Sequence, residues 1–121
     1  MPQITVDYTA VLEESGAFDM DGYARALHEA VVEIAAASPQ ACKTLFRDCL
    51  AAYGYEPMDG RHVVVHVTIG LLAGRSEGTR AKVTQAALEL LRTHVEQEEG
   101  TTLHASAEVR DLDPSYRKFD R

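Results

Sequence analysis

The chain has 121 residues, 45% of them hydrophobic and 26% charged, the length and mix of a single globular domain able to form its own core. Twelve Lys and Arg stand against 19 Asp and Glu, a net charge of −7. So acidic a chain is poorly suited to nucleic acid, whose nonspecific affinity comes from neutralised phosphates. There is no run of about 18 apolar residues to span a membrane, and Met1-Pro2-Gln3-Ile4 lacks the basic and apolar regions of a signal peptide. Cys42 and Cys49 fit neither a disulfide framework nor a C-x-x-C site, and the five histidines show no H-E-x-x-H or comparable spacing. These features predict a cytoplasmic protein with no metal site, and neither nucleic acid nor membrane as partner.

In chain order, Ile4, Val6 and Tyr8 alternate with Thr5, Asp7 and Thr9, which predicts a strand. A turn-rich stretch, 13–22, follows. Tyr23, Ala26, Leu27, Ala30, Val31, Ile34 and Ala35 then recur at helical spacing, with Asp21 as N-cap and Ser38-Pro39 as the stop. Residues 45–53 predict a second strand with Leu45, Arg47, Cys49 and Ala51 on one face, and Pro57-Met58-Asp59-Gly60 a turn. Residues 62–72 are so rich in β-branched side chains (Val63, Val64, Val65, Val67, Ile69) that they predict a strand buried on both faces. After the turn Ala73-Gly74-Arg75-Ser76, with Ser76 or Glu77 at the cap, Val83, Ala86, Ala87, Leu90, Leu91, His94 and Val95 repeat the helical stripe up to Gly100. Residues 103–109 predict a fourth strand, and 111–121 a polar, extended tail.

The halves repeat. A shift of 60 lays the first helical stripe on the second, and a shift of 61 lays Ile4, Val6 and Tyr8 on Val65, Val67 and Ile69. We therefore expect one domain, 1–121, of pseudo-repeats 2–55 and 62–112. Each is a β-α-β unit with parallel strands and a right-handed crossover. The resulting class is α+β: a four-stranded sheet with two helices on one face. Val64 and Val109 suggest that the other face is apolar too, and so covered in a symmetric oligomer.

The strand opening on Pro2, the block Val65-His66-Val67-Thr68-Ile69 leading to Ala73-Gly74-Arg75-Ser76, and the close Glu108-Val109-Arg110-Asp111-Leu112-Asp113-Pro114 resemble the tautomerase superfamily, in its 5-carboxymethyl-2-hydroxymuconate isomerase branch. The likeness covers nearly the whole chain. It implies a homotrimer and no metal or organic cofactor. It also implies a keto-enol tautomerase, an isomerase of the intramolecular oxidoreductase type, in which the initiator Met is removed and the exposed proline acts as general base. The substrate class is a small anionic organic acid, muconate-like in the isomerase branch, from aromatic catabolism.

Pro2 then becomes the candidate catalytic residue. Within a chain its nitrogen is an amide, but without Met1 it is a secondary amine. An ordinary α-amino group titrates near pH ~8, and burial or nearby cations favour its neutral, basic form. A proline there can also simply open a strand. Arg75 matches the family arginine that grips a substrate carboxylate, for which a guanidinium fork is suited. Arg47 matches a family arginine near the site, although a salt bridge to Asp7 or Asp48 would equally explain it. The isomerase branch carries a second arginine two residues later; here Cys49 stands there, which favours a smaller or less charged acid of the phenylpyruvate type. A non-catalytic trimeric binding domain is the alternative of a different class. His66 reads as a satisfied core residue. His62 lies on the same strand face roughly 13 Å away at ~3.3 Å per residue, too far to share a metal with it unaided. Tyr8, Phe46, Tyr53 and Tyr55 read as packing residues, and Glu96, Glu98 and Glu99 as a solvated helix end.

Overall fold

The computed structural model describes residues 2–55 and 62–121. Strand β1 (Gln3–Thr9) leads through a single-turn helix α1 (Val11–Glu14) to helix α2 (Met20–Ala35), a 3₁₀ turn (Pro39–Ala41) and strand β2 (Lys43–Cys49). Strand β3 (His62–Leu71), helix α3 (Glu77–His94) and strand β4 (Thr102–Asp111) repeat the plan. The sheet order is β2-β1-β3-β4. β1 and β2 are parallel, as are β3 and β4, and the two units meet antiparallel along β1 and β3. This is the expected α+β architecture of two β-α-β units in a four-stranded sheet.

The stripes explain the core. Tyr23, Leu27, Val31 and Ala35 of the first unit and Val83, Ala87, Leu91 and Val95 of the second are all buried. In each set the spacing is four residues, which keeps one helical face toward the sheet. They meet Ile4, Val6 and Tyr8 of β1 and Val63, Val65, Val67 and Ile69 of β3, also buried. Each such large side chain contributes about 1.5–3 kcal/mol by leaving water. Tyr23 also donates its hydroxyl proton to the Ala87 carbonyl at 3.0 Å, joining the two helices.

Several expectations are corrected. β3 is buried on one face only: Val63, Val65 and Val67 are buried while His62, Val64, His66 and Thr68 are half-exposed. Its apolar run reflects β-branched preference for a strand as well as burial. Val109 pairs with Ile69 and so lies on the helix side. The open face instead carries Lys43, Leu45, Arg47, Gln3, Thr5, Asp7, His62, Val64, His66, His104, Ser106 and Glu108. It is mainly polar, so apolar exposure there is no argument for an oligomer. β2 stops at Cys49 rather than 53, where its ladder with β1 ends at Thr9 and the Ala10 N–H bonds the Cys49 carbonyl at 2.8 Å. The α2 cap is Asp19, whose Oδ1 accepts from the Gly22 N–H at 3.0 Å, while Asp21 lies in the first turn and pairs with Arg25. Gly100 adopts φ +83° in a turn beyond α3, which ends at His94. The expected turn at 57–60 lies outside the described residues, and none of the described helices is long and apolar enough to cross a membrane.

Candidate active site

Pro2 is fully buried at the head of β1, a central strand. Gln3 pairs with Lys43 on one side and with Gly70 on the other, so the register next reaches Cys42 and Leu71 beside Pro2. The Lys43 N–H donates to the Pro2 carbonyl at 3.4 Å. Cys42 is itself buried; burial pushes its thiol up, opposed by the Lys43 ammonium. Pro2 shares strand parity with Ile4 and Val6, the helix-facing side.

Arg75 is placed at the same end. It follows the end of β3 directly, on a turn where Gly74 takes φ +117°, a left-handed conformation that suits glycine. Its Nε and Nη2 donate to the Ala35 carbonyl at 3.2 and 3.0 Å, and its Nη1 donates to the Leu72 carbonyl at 3.1 Å. The guanidinium thus caps the C-terminus of α2, where carbonyls lack helical partners and the dipole favours a cation. Ser76 then caps α3, its Oγ accepting from the Thr79 N–H at 3.1 Å.

Arg47 is not brought to this place within one chain. It pairs with Asp7 across the β1–β2 ladder, Nε to Oδ1 at 2.8 Å and Nη2 to Oδ2 at 3.1 Å. That is five residues along β1 from Pro2, about 16 Å at ~3.3 Å per residue, and on the open face. Asp7 raises the Arg47 guanidinium further above its ordinary value, chiefly by hydrogen bonding. Cys49 is exposed and unbridged at the end of the same strand.

The tail contributes what the sequence did not suggest. The Leu112 N–H bonds the Leu71 carbonyl at 2.7 Å, and the Leu112 side chain fills the space where a Gly70 Cβ would stand, 2.8 Å from it. Farther on, Gln3 Nε2 donates to the Tyr116 hydroxyl at 3.4 Å. Residues 112–116 thus fold back across the Pro2 end of the open face rather than simply extending away. His66 is also not a core residue. Its Nδ1 meets Ser106 Oγ at 2.6 Å and its Nε2 meets Glu108 Oε2 at 3.0 Å on the open face. Arg110 and, less strongly, His66 hold the Glu108 carboxyl below its usual range. Only the register of β3 against β4, which periodicity does not supply, reveals these contacts. A cavity of about 400 Å³, lined by Leu88, Leu91, Arg92, Val95, Gln97, Leu103 and Ala105, lies toward the opposite end of the sheet.

A paired β-α-β sheet of this order is the tautomerase-like fold. The chain is similar to a 5-carboxymethyl-2-hydroxymuconate delta-isomerase, with a TM-score of 0.78 and 15% identity over 99% of this chain and 89% of that one. It is also similar to a 5-carboxymethyl-2-hydroxymuconate isomerase from Deinococcus radiodurans R1, with a TM-score of 0.76 and 20% identity over 98% and 90% of the two chains. A fused 4-OT symmetric trimer gives a TM-score of 0.65 and 16% identity over 91% and 85%. By sequence, no protein-family model and no curated protein matches the chain.

Proposed function

We propose that the chain is a tautomerase-type isomerase that moves a proton along an unsaturated keto or enol acid, with Pro2 as general base once Met1 is removed. The observation that carries this reading is the placement of Pro2: buried at the head of a central strand, with the Arg75 turn leaving from the neighbouring end of β3. The Pro2 nitrogen takes the proton from the enol oxygen or the carbon next to the carbonyl. The electron pair shifts through the conjugated system, and the ammonium N–H returns the proton at the far carbon. Burial favours the neutral amine needed for the first step, and the ring holds the lone pair in a fixed direction. Arg75 binds a carboxylate. Arg47, distant from its own Pro2, reaches substrate only across a subunit boundary, in the homotrimer that the family resemblance implies and that the fused 4-OT neighbour forms. The substrate class is muconate-like, in aromatic catabolism in the cytoplasm. Cys49, in place of a branch arginine, favours the second reading, a phenylpyruvate-type tautomerase acting on a less charged acid.

Intact mass of untagged protein should show Met1 absent. Pro2→Ala should lower kcat/KM for 2-hydroxymuconate or phenylpyruvate enol by about 100-fold or more, the scale of a lost general base. The preferred substrate of the wild type decides between the two readings. Retained Met1, or turnover unchanged in Pro2→Ala, overturns the role of Pro2 and leaves a trimeric binding domain as the account of the fold.

A further inference from the structure

We propose that His62 and His104 form a binding site for one borderline divalent transition-metal ion, of the zinc and copper class, on the open face of the sheet. The two residues lie on adjacent strands: His104 pairs with Val64, so His62 is its diagonal neighbour on the same face. Their rings stack with centroids 5.2 Å apart, and His62 Nδ1 stands 3.0 Å from His104 Nε2. Two imidazoles binding one ion at about 2.0–2.1 Å, with about 90–110° between them, hold their nitrogens about 2.9–3.4 Å apart. The observed separation therefore already matches a metal-bridged pair. Without metal, one ring nitrogen donates a proton to the other. On binding, that proton moves through water to the donor ring's other nitrogen, so both rings ligate in the neutral form and no net proton is lost.

The surroundings support the site. The backbone of Gly54 packs against the His62 ring, whose Cε1 and Nε2 would lie 3.2 Å from a Cβ placed there, so the ring is held from one side while Nδ1 points to His104. Imidazole nitrogens suit copper and zinc above the lighter divalent ions, and the net charge of −7 raises cation concentration near the surface. Among the described residues, no third His, Cys, Asp or Glu joins the pair. Within one chain the site is distant from Pro2. His62 begins β3 and Gly70 near its end pairs beside Pro2, which puts the two about 26 Å apart at ~3.3 Å per residue.

The test is calorimetric titration of untagged protein with Zn²⁺ and, separately, Cu²⁺. We expect saturable binding of one ion per chain, weakened about tenfold or more in both His62→Ala and His104→Ala. His66→Ala, which removes the imidazole farther along the same face, should bind as the wild type does. Thermal unfolding gives the second readout: Zn²⁺ should raise the midpoint of the wild type and of His66→Ala, but not of the two site variants. No saturable binding up to millimolar metal overturns the proposal. So does wild-type affinity in either site variant, or loss of binding in His66→Ala.

Discussion

Arg75 is a structural strut, and the proposed function asks it to be a binding group as well. A guanidinium has five N–H donors. Three are used on the Ala35 and Leu72 carbonyls, leaving two, one on each terminal nitrogen, for a carboxylate. The same bonds that fix the fork remove its rotamer freedom before substrate arrives, which lowers the cost of ordering it. The two roles separate experimentally. Arg75→Ala strips the cap from α2 and should destabilise the fold by about 1–2 kcal/mol, the range for hydrogen bonds to a charged donor in a partly exposed setting. It should appear as a lower urea midpoint at constant slope. Arg75→Lys restores a cation at the helix end but not the fork, so it should recover part of the stability while KM for an anionic substrate stays raised. Equal stability of Arg75→Ala and wild type would refute the strut.

At the scale of elements, α2 ends on a residue ill-suited to its conformation. Ala36 closes the helix with φ 53° and ψ 42°, where a Cβ crowds the following carbonyl at a cost of about 1–2 kcal/mol. Its side chain is exposed, so deleting it loses no packing. Ala36→Gly should raise stability by about 0.5–1 kcal/mol, the relief of strain less the extra freedom of the unfolded glycine, measured as a higher urea midpoint; an unchanged or lower midpoint would refute it. Nothing in the sequence marks this position, since alanine favours helix and the usual glycine signal is absent. The same limit explains the other misreadings. Periodicity made both helices and the helix-facing residues of β1 and β3 legible, because burial imposes spacings of four and two. It could not choose Asp19 over Asp21 as a cap, since both precede the stripe and only the bond to Gly22 distinguishes them. α1 is a single turn, too short for a stripe to register. In the candidate site, Pro2 and Arg75 were legible through position and motif. Cys42, Leu112 and Tyr116 were not, because their nearness to Pro2 depends on strand register and on the fold-back of the tail.

For the whole molecule, titrating groups in the continuous core formed by the two units and on its surface should together set the pH range of stability. Tyr8 is pushed up to about 12 by burial and then by its hydrogen bond to Glu13, from an ordinary value of 10.0, and burial raises Tyr23 as well. Between those pH values the unfolded chain loses phenolic protons that the folded chain keeps, so the tyrosine contribution to stability is complete below about pH 10 and falls as pH rises from 10 toward 12. His28 shifts the other way. Burial, and then Lys43, lowers it from 6.5 while its Nε2 meets Thr44 Oγ1 at 2.7 Å. As pH falls below 6.5 the unfolded chain therefore takes the proton first, and stability declines until the folded histidine also titrates. Glu108, depressed by Arg110, adds a further loss in stronger acid, as pH falls through its lowered value. Burial also raises the Cys42 thiol from 9.0, so the folded state should show a plateau from about pH 7 to 9 with a limb on each side. Urea unfolding across pH provides the check. His28→Gln should flatten the limb just below 6.5 without moving the alkaline one. Tyr8→Phe should soften the alkaline limb but not abolish it, because Tyr23 continues to titrate there. A limb near 6.5 that persists unchanged in His28→Gln would assign it to another group and refute the role of half-buried His28 in acid stability.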